Sequence, residues 1–356
     1  MPLTCGLVGL PNAGKSTLFR AITASPAEIA PYPFTTIAPN IGVARIPDPR
    51  LEAIAGITRP RRVVPATMEV VDIAGLVRNA HRGEGLGNQF LARIREVDAI
   101  LHVVRCFGGD AAHVEGGADP LRDIGIVETE LLLADLAVVE RARAQIAPRA
   151  RTGDRAAKSE EAALVQLEAD LGSGRPARAA SAAHARRDLL TSRPVLYVAN
   201  LSEEEAAGGP CLNAVARYAR TQGTGAVGLS AKLELELTEL SESEAEEFLH
   251  SLGIPERGVP HLIRACETLL GLRTFFSIAS DEVRAWPVPA GTRAPQAAGR
   301  IHTDMERGFI RAEVVNYQDL ATCGSIAAAR DRGVIRLEGK EYEIQDGDVI
   351  TFRFAL

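Results

Sequence analysis

Gly9-Leu10-Pro11-Asn12-Ala13-Gly14-Lys15-Ser16-Thr17 sets two glycines, an ammonium and two hydroxyls at the spacing Gly-x-x-x-x-Gly-Lys-Ser. The chemistry open to such a set is narrow. Glycines let successive backbone N–H groups turn inward on phosphate oxygens, and a helix opening at the loop adds partial positive charge. Asn12, Ala13, Gly14, Lys15, Ser16 and Thr17 are therefore candidate contacts to the phosphates of a nucleoside triphosphate. Lys15 is the candidate catalytic cation on the β/γ oxygens, and the Ser16 hydroxyl is a candidate Mg²⁺ ligand. These residues need a strand before them and a helix after them. Cys5-Gly6-Leu7-Val8 has the apolar run of a buried strand, and Thr17-Leu18-Phe19-Arg20-Ala21-Ile22 reads as a helix.

Two more segments are expected to close on the phosphates. Asp72-Ile73-Ala74-Gly75 ends the strand-like run Thr67-Met68-Glu69-Val70-Val71. An aspartate there holds Mg²⁺ through water, and the Gly75 amide meets the γ-phosphate. Upstream, Tyr32-Pro33-Phe34-Thr35-Thr36-Ile37 lies between the first helix and the next strand. A threonine in such a loop binds Mg²⁺ only while the γ-phosphate is present, which makes the loop a switch. Ras-like and Gα enzymes follow the glycine with a glutamine that orients the attacking water; this chain has Leu76. An apolar side chain cannot hold a water, so hydrolysis is expected to be slow, helped by a partner, or served by another residue. Arg82-Gly83-Glu84-Gly85-Leu86-Gly87 is too glycine-rich for a stable helix and suits a second switch.

The base is read elsewhere. Asn200 ends the buried-strand run Arg193-Pro194-Val195-Leu196-Tyr197-Val198-Ala199 and opens Asn200-Leu201-Ser202-Glu203, where a GTPase carries Asn-Lys-x-Asp. The aspartate of that motif accepts from guanine N1–H and the 2-amino group, donors that adenine lacks as a pair. Here Leu201 replaces the lysine and Glu203 carries the carboxylate one methylene further out. A site built to pair a polar group rejects an analogue that leaves it unpaired, so losing that geometry removes the main reason to exclude ATP. The alternative is that Glu203 still reads guanine from a shifted backbone. Ser230 and Ala231, opening Ser230-Ala231-Lys232 at the end of the last strand, are expected to meet the base edge.

With these motifs in view, the chain resembles the YchF-type Obg-like ATPases, a branch of the Obg group of translation-factor P-loop proteins. The resemblance rests on Gly9 to Thr17, Pro33-Phe34-x-Thr36, Asp72 to Val77, Gly83-x-Gly85-x-Gly87-Asn88, Asn200-x-x-Glu203, Ser230-Ala231-Lys232 and the stretch from Phe275 to Phe354. It spans nearly the whole chain. It implies an ATP-preferring, Mg²⁺-dependent hydrolase with a hydrophobic residue, Leu76, in place of the catalytic glutamine. It implies Ser16 and Thr36 as Mg²⁺ ligands, ribosome binding, with the large subunit as the expected partner, and links to stress and redox regulation. A catalytic role proposed for a histidine after the fourth strand would fall on His113; on sequence alone a lone loop histidine reads as a surface residue.

Composition frames these sites. The 356 residues suffice for two or three domains, and 46% hydrophobic with 24% charged residues is ordinary for a soluble globular protein. The N-terminus lacks the apolar run of a signal peptide and no stretch of eighteen apolar residues occurs, so the expectation is cytoplasmic, with neither membrane nor DNA as partner. Five cysteines without a CxxC suggest neither a disulfide framework nor a zinc site, and reduced thiols are the simple reading.

Strand patterns at 5–10, 41–46, 67–72, 99–105, 194–199 and 226–230 alternate with helical ones, the layout of an α/β P-loop NTPase sheet with ligands beyond the strands' carboxyl ends. The pair 41–46 and 67–72, with no helix expected between, reads as an antiparallel edge. Val127, Leu131, Ala134 and Val138, then Leu164, Leu167 and Leu171, recur at helical spacing, predicting antiparallel helices over roughly 123–147 and 155–172 within an insert of about 123–187. Residues 141–187 hold ten Lys/Arg against five Asp/Glu in a chain of net charge −6, which suits a polyanion such as ribosomal RNA or, equally, a solvated helical face. The nucleotide domain is expected over 1–272. Over 273–356, strands at 274–278 and 282–286, a helix from about His302 to Arg311, and a last strand after the Asp346-Gly347-Asp348 turn predict a β-grasp (TGS-like) domain suited to docking. The reading is an ATP-hydrolysing switch. Its alternatives are an Obg-group GTPase with relaxed base specificity and a nucleotide-gated binding module whose hydrolysis is incidental.

Overall fold

A computed structural model describes residues 3–24, 40–73, 86–108, 119–180, 188–279 and 281–355. Its contacts divide the chain into two units. The first holds, among the described residues, 3–24, 40–44, 69–73 and the described part of 86–265; the second holds 45–68 and the described part of 266–355.

The first unit is an α/β sheet in the order β2-β4-β1-β5-β6-β7. These strands are β1 (Leu3–Val8), β2 (Ile41–Arg45), β4 (Thr67–Asp72), β5 (Ala99–Cys106), β6 (Val195–Leu201) and β7 (Ala226–Leu229). β1, β5, β6 and β7 run parallel, with Val8 opposite His102, Arg105 opposite Asn200, and Asn200 opposite Leu229. Every residue of β5 and β6 is buried, so their apolar runs are continuous rather than alternating. At the edge, Asp72 N–H donates to Asn40 O and Ile46 N–H to Ala66 O, so numbers rise on one strand as they fall on the other: the pair is antiparallel, as expected. The chain between them does contain a helix, however. α2 (Pro49–Thr58) starts on Asp48, whose side chain accepts from the Arg50 N–H, with proline in the first turn.

α1 (Lys15–Thr23) follows the phosphate loop, and α3 (Leu86–Glu96) precedes β5. The glycine-rich run read as non-helical from 82 to 87 therefore gives way to helix at Leu86. α4 (Pro120–Arg151) and α5 (Arg155–Gly172) form the expected hairpin, α4 being longer at both ends than 123–147. Asp119 and Asp154 cap the two helices, Asp154 accepting from both Ala156 and Ala157 N–H. Arg149 pairs with Asp154 at 2.7 Å across the turn. The 32 residues of α4 outrun the sheet, and its buried stripe serves two cores. Ile124, Val127, Leu131 and Ala134 pack with Val195, Tyr197 and the sheet. Val139, Ile146 and Ala150 pack with Ala157, Leu164, Leu167 and Leu171 of α5. Further along are α6 (Pro210–Thr221), α7 (Ala231–Glu236), α8 (Glu242–Ser251) and α9 (Gly258–Leu269).

Cys106, the last residue of β5, is disulfide-bonded to Cys211 in the first turn of α6, with 5.8 Å between their Cα atoms. This corrects the expectation of reduced thiols throughout. The partners are 105 residues apart, and only the folding of β5 beside β6 and α6 brings them together. Cys5 and Cys323 are free thiols.

The second unit is a sheet in the order β11-β10-β12-β8-β9-β3. β8 (Leu272–Ile278) and β9 (Glu282–Pro289) are the expected antiparallel pair, with β10 (Phe309–Asn316), β11 (Arg336–Glu338) and β12 (Asp348–Phe354) beyond. β3 (Arg62–Val64) pairs in parallel with β9, so α2 and β3 belong with this unit, which differs from a single boundary at 272/273. Three residues of strand are too few to carry a period. Arg50 of α2 holds the unit together locally, pairing with Asp48 and, at 2.6 Å, with Asp346. The helix expected from His302 to Arg311 is instead two: α10 (Ala294–Ile301) and α11 (Thr303–Arg307). His302, in an extended conformation, separates them, and Gly308 ends the second, so Phe309–Arg311 are free to start β10. Short helices α12 (Tyr317–Cys323) and α13 (Ile326–Asp331) complete the unit. Its core is Phe275, Val288, Ala297, Phe309, Val314, Ile350 and Phe352.

Candidate nucleotide-binding site

The loop between β1 and α1 has the geometry that its glycines imply. Gly9 has φ +157°, and a Cβ there would lie 2.4 Å from Val103 O of β5. Gly14 has φ +89° and caps α1; its Cβ would lie 2.1 Å from Asn200 Nδ2. Both positions exclude a side chain by contact as well as by conformation. Asn12 also takes a left-handed conformation, φ 61°. The backbone is thereby wound into a compact turn ahead of α1, with Ala13 and Lys15 buried.

Lys15 folds back on this loop, its Nζ donating to Gly9 O at 3.1 Å and Leu10 O at 2.9 Å. Burial pulls its pKa below the ordinary lysine value, while the charge of Asp72 pushes the other way. Ser16 Oγ donates to Asp72 Oδ2 at 2.7 Å, so the two expected metal-binding oxygens are in direct contact. A hydroxyl and a carboxylate are hard oxygen donors, which fits Mg²⁺. Among the described residues no group of three or more His, Cys, Asp or Glu could hold a metal by itself.

Asn200 ties the phosphate loop to the base segment. Its Nδ2 donates to Ala13 O at 2.9 Å, and its Oδ1 accepts from Ala231 N–H at 3.0 Å. Ser230 is the cap of α7, its hydroxyl accepting from Leu233 N–H. The candidates Ala13, Asn200 and Ala231, more than two hundred residues apart at the extremes, thus form one hydrogen-bonded group, with Gly14 packed against Asn200 and Ser230 next to Ala231 in the chain. Leu201 is different: it is 2% exposed and its side chain belongs to the core cluster with Cys106, Leu91 and Val215. Glu203 follows the strand and pairs with Lys232 of α7 at 2.7 Å. Thr36, Gly75, Leu76 and His113 lie outside the described residues.

Sequence reading passed over two neighbours of the loop. Phe107 lies 3.8 Å from where a Gly14 Cβ would be, with the Arg105 guanidinium 4.7 Å over its ring. His102, opposite Val8 in the sheet, is 3% exposed and packs on Tyr197. Burial, with the charges of Arg178 and Lys15, pushes its pKa down to about 3. It is a buried histidine held in its neutral form.

Comparison with known proteins decides the family. A model described as a 50S ribosome-binding GTPase matches residues 4–141, and the YchF-GTPase_C model, described as a protein of unknown function, matches residues 272–355. The ribosome-binding ATPase YchF of Bacillus subtilis is 47% identical over 99% of this chain and 100% of its own. That of Haemophilus influenzae strain Rd is 48% identical over 99% of both. The chain belongs to the YchF family. The structure of the YchF GTPase of Schizosaccharomyces pombe superimposes with a TM-score of 0.88 at 36% identity, covering 99% of this chain and 97% of that one. A GTP-binding protein of Pyrococcus horikoshii OT3 shares the fold at a TM-score of 0.61 and 19% identity. Membership in this P-loop family implies a nucleotide-associated metal, and the Ser16–Asp72 pair is where the described residues offer oxygens to one.

Proposed function

We propose that this protein binds ATP with Mg²⁺, hydrolyses it, and reports its nucleotide state to the ribosome. The observation that carries the reading is Asn200, which joins the phosphate loop at Ala13 to the base segment at Ala231 and so makes a single nucleotide site of the two. Lys15 would leave the loop carbonyls for the β/γ oxygens, exchanging two neutral acceptors for charged ones. Amides from Asn12 to Thr17 would hold the phosphates, and the Gly75 amide would meet the γ group. Ser16 and Thr36 would hold Mg²⁺ directly and Asp72 through water; the ion, when bound, neutralises charge on the transferring group. Because Leu76 cannot orient a water, His113 is the remaining candidate, and exchange of His113 for alanine tests it: a lower kcat with intact ATP affinity supports the role.

Adenine preference is supported by Glu203, which stands where guanine-reading carboxylates stand and is turned onto Lys232. The curated relatives are named ribosome-binding ATPases, and one family model is named for the 50S subunit, which favours the large subunit as the docking surface. The exposed Arg149, Arg151 and Arg155 beside the α4–α5 turn suit ribosomal RNA. No described helix is long and apolar enough to cross a membrane, and a ribosome partner supports a cytoplasmic site of action. Calorimetric titration with ATP and GTP analogues in Mg²⁺ tests the reading, with ATP expected to bind at least about tenfold tighter. Equal affinities would return the protein to the relaxed GTPases.

A further inference from the structure

Glu203 lies two residues past β6, and Lys232 is the second residue of α7, the helix that Asn200 positions through the Ala231 amide. The Lys232 ammonium is 2.7 Å from Glu203 Oε1, an oxygen with less than 1 Å² accessible, and 3.8 Å from Glu236 Oε1. We propose that Lys232 is a specificity-determining residue that acts through Glu203, holding its carboxylate off the base so that guanine finds no acceptor there. The inference rests on the ATP-binding reading of the same site.

A carboxylate reads guanine by accepting from N1–H and the 2-amino group together. That requires both oxygens in the plane of the base. Glu203 has one oxygen enclosed against an ammonium carried on a different element, so its plane is set by Lys232 rather than by a ligand. Donation to the Glu203 carboxylate, with the charges of Glu203 and Glu236, raises the Lys232 pKa, so the cation persists throughout the neutral range. Guanine would have to displace the ammonium and leave it facing the ring's donor edge; adenine, which offers no such pair of donors, asks for no displacement. The ion-pair side chains are 69% and 39% exposed, so the pair is a modest one. Exposed pairs of this kind limit the expected effect to about two- to fivefold in affinity.

The test is calorimetric titration of the full chain with non-hydrolysable ATP and GTP analogues in Mg²⁺. Lys232→Met, which keeps the stem and removes the charge, is expected to raise the ratio of GTP to ATP affinity about two- to fivefold. Lys232→Arg keeps a cation within reach of Glu203 and is expected to hold the native ratio. Adding Glu203→Gln to Lys232→Met is expected to abolish the gain, because an amide keeps one acceptor oxygen and puts a donor where guanine needs the second. A ratio unmoved by Lys232→Met, equal weakening of both nucleotides, or a gain that survives Glu203→Gln each overturns the proposal. A native protein that fails to prefer ATP would overturn the underlying reading instead, and the two failures are read from different samples.

Discussion

The Ser16 hydroxyl donates to the Asp72 carboxylate at 2.7 Å across 56 residues of chain. The contact joins the start of α1 to the end of β4, and it sets two hard oxygens side by side before any ligand is considered. Lys15 is held next door by loop carbonyls. The three side chains are spatially one group, although only two of them are adjacent in sequence. Ser16→Ala and Lys15→Ala are each expected to lower ATP turnover at least a hundredfold, about 2.7 kcal/mol of transition-state stabilisation. Steady-state phosphate release from the purified variants, compared with their thermal melts, checks this.

The base site calls for two variants with different outcomes. Glu203→Asp draws the carboxylate back from Lys232 and is expected to tighten GTP binding about tenfold. Leu201→Lys is expected to fail as a specificity change, because Leu201 is 2% exposed in the core and a buried ammonium there costs at least ~2 kcal/mol of stability. Titration with GTP analogues reads the first, and a thermal melt reads the second.

Acid should unfold the protein partly through His102. Its folded pKa, about 3, lies below the ordinary value of 6.5, so the unfolded chain binds more protons between those values. The stability that depends on a neutral His102 is therefore fully present above pH 6.5 and is lost as the pH falls towards 3, on the order of a few kcal/mol across the whole range. Denaturant melts at pH 7, 6 and 5, above most carboxylate titration, should show this slope in the native protein and a flatter one in His102→Leu.

Ribosome binding should depend on the hairpin's charge. Reversal of Arg149, Arg151 and Arg155 to glutamate is expected to weaken co-sedimentation with ribosomes and to reduce its salt dependence, while ATP affinity stays unchanged. The Arg149–Asp154 pair is lost in this variant, but it lies 67% and 32% exposed and contributes under about 1 kcal/mol. A triple variant that pellets like the native protein would make the surplus an ordinary solvated face.

The Cys106–Cys211 bond is expected to appear as a mass two hydrogens lighter than the dithiol form. Because it closes a long loop, Cys211→Ser should cost about 2–4 kcal/mol relative to the bridged protein, read as a lower midpoint in denaturant. In reductant the two proteins should converge.

The parallel strands, the phosphate loop and the hairpin were legible in the sequence because each is written in a local period or a fixed spacing. β5 and β6 are buried throughout and mostly apolar, and α5 lies where its leucines predict. Contacts between distant residues left no such mark. Nothing in Arg62-Val63-Val64 announces a strand that pairs with β9, since three residues cannot show alternation. Asn200 was readable as a motif residue, yet its two amide contacts, to Ala13 and Ala231, depend on how β1, β6 and β7 align. The turn of Glu203 onto Lys232 is likewise set by the placement of α7, and the helix expected at 302–311 failed because an extended His302 and Gly308 interrupt it.

The bond between Cys106 and Cys211 also changes how the chain is connected. Everything between these residues, including both helices of the hairpin, lies on a covalent ring, and the two ends of the polypeptide leave that ring at one point. A single cut anywhere in the α4–α5 turn opens the ring without dividing the molecule. A nicked protein would keep its mass on a non-reducing gel and separate into two pieces only when a thiol is added.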